Sequence, residues 1–166
     1  MESKELIKMN LDMGFGMTLQ MVGDMKDSAT VFPSPKGGCH PLWLLGHLAY
    51  SEGTMLQQFM LGEENPLAEW KEIFADGTEP SADASKYPPF DEVLAKLQET
   101  HQKSVELLES FSEADLDTPS KGCPEQYQAY FGTYRQCFSM IAAHCMMHRG
   151  QLADTRRAAG LKRAGP

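Results

Sequence analysis

His144 and His148 sit four residues apart in "IAAHCMMHRGQLADTRR", Ile141 to Arg157, a stretch that its Ile, Met and Leu residues would otherwise make a plain apolar helix face. On an α-helix, positions four apart project from one face about a turn apart, so both rings can aim at a single point. Two imidazoles leave a coordination sphere incomplete, and a third ligand must come from elsewhere. The sequence offers His40, His47 and His101. His47 lies in "HPLWLLGHLAYSEG" among apolar neighbours, so its ring is predicted to face inward. His101, in "ETHQKSVE", is predicted to face solvent, and His40, just before Pro41, to decorate a loop. Two readings stay open here. Either the inward rings are hydrogen-bonded core residues, or they hold a metal. Three clustered neutral imidazoles without partners strand costly polar atoms, whereas a metal takes one nitrogen from each.

Imidazole suits Zn, Ni, Fe or Cu, and a closed structural site usually adds a fourth protein ligand, often cysteine. Cys145 follows His144 by one residue and points roughly 100° away, a poor fourth ligand. Cys137, two turns before His144 on nearly the same face, is read first as a small buried hydrophobe and second as pocket lining. With three protein ligands only, the remaining positions are open. Such a metal lowers the pKa of bound water towards about 7, or stabilises a bound thiolate. The first property serves hydrolysis and the second thiol transfer, and the sequence does not choose. Glu52, five residues after His47, is either a base near the site or, more commonly for Glu, a solvated side chain. Arg149 and Gln151 are read first as packing and hydrogen-bonding residues of the last helix, then as substrate contacts. Tyr50, Tyr130 and Tyr134 fit a pocket mouth and plain helix packing equally well. Met9, Met13 and Met17 form an apolar stripe that reads as core or dimer surface before any copper site.

Positioning these groups requires long helices, and four segments have the periodicity for them. The first runs from about Lys4 to Met25, where Gly14 and Gly16 weaken the helix and allow a close approach. "ATVFPSPKGGCHP" then breaks the chain. The second opens at Pro41 and continues to about Leu61, with Gly62 as its stop. A long connection, Glu63 to Pro89, holds a short helix from about Leu67 to Phe74. The third helix begins near Asp91 and ends before "SEADLD", its first turn acidic as the helix dipole favours. The fourth spans about Thr133 to Ala159, with Gly160 beyond it. Only "QYQAYF" leaves strand and helix open. Four long helices with one long crossover between the second and third predict an all-α four-helix bundle, as a single domain over residues 1–166.

Lys and Arg number 15 against 23 Asp and Glu, a formal charge of −8. Such a chain repels phosphate backbones and anionic lipid, which argues against nucleic-acid or membrane partners. The only basic cluster, Arg149, Arg156, Arg157, Lys162 and Arg163, is read as cations favoured by a helix C-terminus. "MESKELIKMNLDMG" contains no long apolar run, so neither a secretory signal nor a membrane span is predicted. The four cysteines show no CxxC pairing and read as reduced thiols of a cytoplasmic protein.

"WLLGHLAYSE" and "HCMMHRGQLADTRRAAG" resemble the DinB/YfiT-like metalloprotein family, which carries one histidine on its second helix and an H-x3-H-R-G-Q signature on its fourth. "SKYPPFDEVLAKLQ" and "LLESFSEADLD" are similar to its third helix and the loop after it, so the likeness covers about residues 5 to 160. The resemblance implies an up-down-down-up helix order, a divalent metal (Zn or Ni, with Fe as a further candidate) held by His47, His144 and His148, and a homodimer. It implies a small-molecule substrate, with a thiol as one candidate, since thiol S-transferases and a maleylpyruvate isomerase belong to the family alongside members with no assigned reaction. The expected function is therefore a metal-dependent transferase or hydrolase. The alternative is a non-catalytic, stress-associated metal-binding bundle.

Overall fold

The computed structural model describes residues 2–164, and no β-strand occurs among them. The chain is all-helical. Its helices are α1 (Ser3–Val22), α2 (Pro41–Gly53), α3 (Lys71–Phe74), α4 (Phe90–Ser110), α5 (Gln128–Phe131) and α6 (Tyr134–Ala158). The four long segments predicted from periodicity all form, within a few residues at each end. "QYQAYF" resolves as helix, a 3₁₀ turn at Glu125–Tyr127 leading into α5.

Local chemistry accounts for where α2 and α6 begin. Pro41 occupies the first turn of α2, and the His40 ring accepts a hydrogen bond from the Trp43 backbone N–H at 3.1 Å. Thr133 and Gln136 form a reciprocal capping box at the start of α6. α2 does not stop at Gly53. It runs directly into a π-helical stretch, Thr54–Leu61, and ends at Gly62, whose φ of 72° suits a residue without Cβ.

The most extensive helix pairings are α1 along α6 and α2 along α4. Gly14 brings α1 close to α6: a Cβ there would lie 3.2 Å from the Cβ of Cys145. Gly16, predicted to play the same part, faces open space. One apolar cluster joins Met21, Leu44, Leu48, Phe74, Val93 and Leu97, and another joins Ile7, Leu11, Leu56, Leu108, Phe138 and Ile141. Between α2 and α4, the Glu63–Pro89 connection is pinned rather than loose. Asn65 Nδ2 donates to the Tyr50 carbonyl and to Thr54 Oγ1, both at 2.9 Å. A 3₁₀ turn, Ala68–Trp70, then leads into α3. The Phe74 ring packs so tightly over α2 that a Cβ on Gly46 would come within 2.4 Å of three of its ring carbons. That contact fixes where the backbone of Phe74 lies relative to the turn of α2 that carries His47.

Candidate metal centre

His47 comes from α2, and His144 and His148 come from α6. The ring of His47 points at the other two across the helix interface: its Nε2 lies 3.3 Å from His144 Nε2, which in turn lies 2.8 Å from His148 Nε2. One ligand nitrogen from each residue falls within 4.8 Å of the others, an arrangement that could hold a metal ion.

Each outer ring is oriented by its far nitrogen. His47 Nδ1 lies 2.8 Å from the carbonyl oxygen of Phe74, which can only accept, so Nδ1 carries the proton and Nε2 presents a lone pair. His148 Nδ1 donates likewise to the Gln151 amide oxygen at 2.6 Å. Trp43, one turn before His47, stacks on its ring with centroids 4.6 Å apart and planes 10° from parallel. A proton on His144 Nε2 could satisfy only one of the two lone pairs directed at it. A cation between the three nitrogens satisfies all of them, and the donor set therefore fits a metal.

Electrostatics favour the same state. Burial holds the His144 imidazole down to about 3, and the neighbouring His148 and His47 push it in the same direction. Burial also lowers His47 and His148, against the hydrogen bonds to Phe74 and Gln151. All three rings are neutral at pH 7, the form that binds metal.

The cluster forms part of the wall of a cavity of about 600 Å³, whose other lining includes Trp43, Tyr50, Phe59, Asp76, Tyr127 and Phe131. The π-helical stretch helps to build this wall. Thr54 and Phe59, five residues apart, both face the cavity, a spacing that the wider π turn brings onto one side.

Residues 10–152 match the sequence model of the DinB superfamily. The chain belongs to the DinB superfamily. No curated protein matches it. His47, His144 and His148, the residues on which the family resemblance rests, are the three that the fold brings together.

Several expectations need correction. His101 does not face solvent: it is buried on α4, stacked on Phe15 with centroids 3.9 Å apart, and its Nε2 lies 3.6 Å from Asp12. His40 is no loop decoration: it is fully buried, caps α2 and pairs its Nε2 with the Ser81 carbonyl at 2.9 Å. Glu52 is not solvated. It is 3% exposed, accepts a hydrogen bond from Ser104 on α4, and lines a different, smaller cavity. Cys137 and Cys145 are both buried in the apolar clusters, and neither lines the histidine cavity. Burial pushes their thiols up, to about 11 and about 12. Tyr50 lines the cavity, Tyr134 is core, and Tyr130 is exposed outside the cavity. Met9 and Met13 are exposed, which leaves the surface part of their reading standing.

Trp43, Asp76 and Cys39 line the cavity without having been singled out from sequence. Trp43 was recoverable, being four residues before His47 and hence on its face. Asp76 and Cys39 lie in irregular segments and carry no periodic signal. The hydrogen bond from His148 to Gln151 has a measurable consequence. Gln151→Ala is expected to lower affinity for a divalent ion 10- to 100-fold, the usual effect of losing an outer partner of a metal-binding histidine. Competition with a chelator of known affinity reads it, and unchanged affinity would remove the orienting role.

Proposed function

We propose that His47, His144 and His148 hold a divalent metal ion, Zn or Ni foremost, and that the protein is a metal-dependent enzyme acting on a small molecule by thiol transfer or hydrolysis. One observation carries the reading: three neutral imidazoles turn their Nε2 atoms toward one another at the wall of a 600 Å³ cavity, with two of the Nδ1 atoms already committed elsewhere. Membership of the superfamily supports it. Within it, α1, α2 with its π-helical extension, α4 and α6 make an up-down-down-up four-helix bundle in a single domain, and the Glu63–Pro89 connection is its long crossover.

When bound, a divalent ion supplies the positive charge that favours a thiolate or hydroxide over its protonated form. The chain's own residues supply the rest. Phe74 and Gln151 hold the rings of His47 and His148 in register. Trp43, Phe59, Tyr127 and Phe131 offer an apolar wall that takes the body of a substrate and displaces water. Asp76 adds one carboxylate to that wall.

No helix among the described residues is long and apolar enough to cross a membrane. Leu6, Met9 and Met13 on α1 and Met146 on α6 present exposed apolar side chains, which supports a homodimer.

The test is elemental analysis of protein purified without a histidine tag, followed by a screen of small thiols with electrophilic acceptors and of small esters. About one metal per chain and turnover of a thiol or ester are expected. Metal without turnover favours the alternative, a metal that only braces α2 against α6, and then stripping it should cost much of the melting temperature. Absence of metal overturns both.

A further inference from the structure

Towards the C-terminal end of α6 lies a second cavity, of about 320 Å³, which shares no lining residue with the histidine cavity. Four arginines line it, Arg149, Arg156, Arg157 and Arg163, with Met21 and Leu161 among its apolar walls. In a chain with a net charge of −8, four guanidinium groups around one hollow run against the overall balance. Like charges held together are unfavourable unless something anionic faces them.

Among the described residues, carboxylates answer only half of that charge. Asp24 pairs with Arg156, and Asp154 pairs with Arg157 at 2.9 Å. Arg149 and Arg163 form no ion pair among the described residues, which leaves about two of the four positive charges without a carboxylate from those residues. The helix C-terminus accounts for part of the cluster, because Arg156 also donates to the carbonyls of Met21 and Lys162. It does not account for Arg149, which stands nine residues before the end of α6. The Nε of Arg149 is buried, and it is the one buried side-chain polar atom among the described residues that lacks a hydrogen-bond partner. A buried charged donor left unpaired is costly, and because the Arg149 side chain also lines the hollow, an oxyanion held there by the same guanidinium offsets part of that cost.

We propose that this hollow binds a small phosphate monoester. Two uncompensated charges match a dianion better than a carboxylate monoanion. Arg156, 4% exposed and tied to Asp24, forms a fixed floor, Arg149 and Arg163 supply the charge that no carboxylate among the described residues answers, and Arg157, which gives one nitrogen to Asp154, adds its remaining donors. Met21 and Leu161 give the ester's organic group an apolar surface. The site is independent of the metal reading.

Isothermal titration of the full chain with phenyl phosphate, inorganic phosphate and benzoate tests it, in the unaltered protein and in three variants. Arg149→Gln removes the unpaired donor. The double substitution Arg157→Gln with Arg163→Gln alters exposed side chains only and keeps the test open should Arg149→Gln fail to fold. His144→Ala reports binding at the histidines instead. Phenyl phosphate is expected to bind most tightly, inorganic phosphate next and benzoate least. Both arginine variants should weaken phenyl phosphate at least about tenfold, since each loses one or more charge-assisted contacts, while His144→Ala leaves it unchanged. Equal binding by the arginine variants, loss in His144→Ala alone, benzoate binding as tightly as phenyl phosphate, or no binding at all would each overturn the proposal.

Discussion

His144→Ala is expected to lower the affinity for a divalent ion by more than about 100-fold, beyond the loss caused by removing an outer partner. Its Nε2 is the atom nearest to both other rings, at 3.3 Å from His47 and 2.8 Å from His148. Without it, two imidazoles remain, from different helices, whose own centroids lie 4.9 Å apart. The effect on stability separates a ligand from a core residue. In the metal-free protein the three rings are neutral and turn two lone pairs on a single nitrogen. Removing the central ring relieves that crowding, so metal-free His144→Ala should melt no lower than metal-free unaltered protein. A hydrogen-bonded core histidine behaves in the opposite way, because its loss leaves buried partners unsatisfied. Thermal melts with and without chelator, beside metal competition, read both quantities. Retained metal together with a large drop in melting temperature would sink the metal reading.

The second large effect lies away from the site, at Glu52. Burial raises its carboxyl from the ordinary 4.5 to about 7, while the hydrogen bond from Ser104 opposes the shift. Because the folded value is the higher one, the folded protein holds a proton that the unfolded chain has released. Stability from this group is therefore fully present below about pH 4.5 and is lost as pH rises through 7. Glu52→Gln keeps an oxygen to accept from Ser104 and carries no charge to bury. At pH 8 it should stabilise the fold by on the order of 3 kcal/mol, the free-energy equivalent of the shift. At pH 4.5 the two proteins should be nearly equal. Denaturant unfolding at the two pH values is the measurement, and a variant whose advantage is the same at both would show that Glu52 is not neutral in the fold.

Glu52 also illustrates what one-dimensional reading misses. Five residues after His47 it sits on the side of α2 that meets α4, where Ser104 and the neighbouring apolar residues cover it. Its burial depends on α4, which no spacing within α2 reveals. His101 fails as a sequence reading for the same reason. "ETHQKSVE" is polar in the chain, yet Phe15 on α1 covers the ring. His40 gave no pattern because a single capping residue is not periodic. The helices were legible because apolar spacing is a local property repeated over many turns, and punctuation by Pro41, Gly62 and Gly160 bounded them. The π-helical end of α2 was not, since it shifts the phase of a helix without changing its composition.

What the sequence determined by itself was the all-helical class, the pair His144 and His148 on one face, and the inward direction of His47. Each follows from helical geometry acting over a few residues. Tertiary structure alone decided that residues 47 and 144, ninety-seven apart in the chain, meet at hydrogen-bonding distance. It also decided that the Phe74 carbonyl orients one ring and that four arginines surround a second hollow. Those contacts join segments with no local pattern in common, so only the packing of α2, α6 and the connection between them could create them.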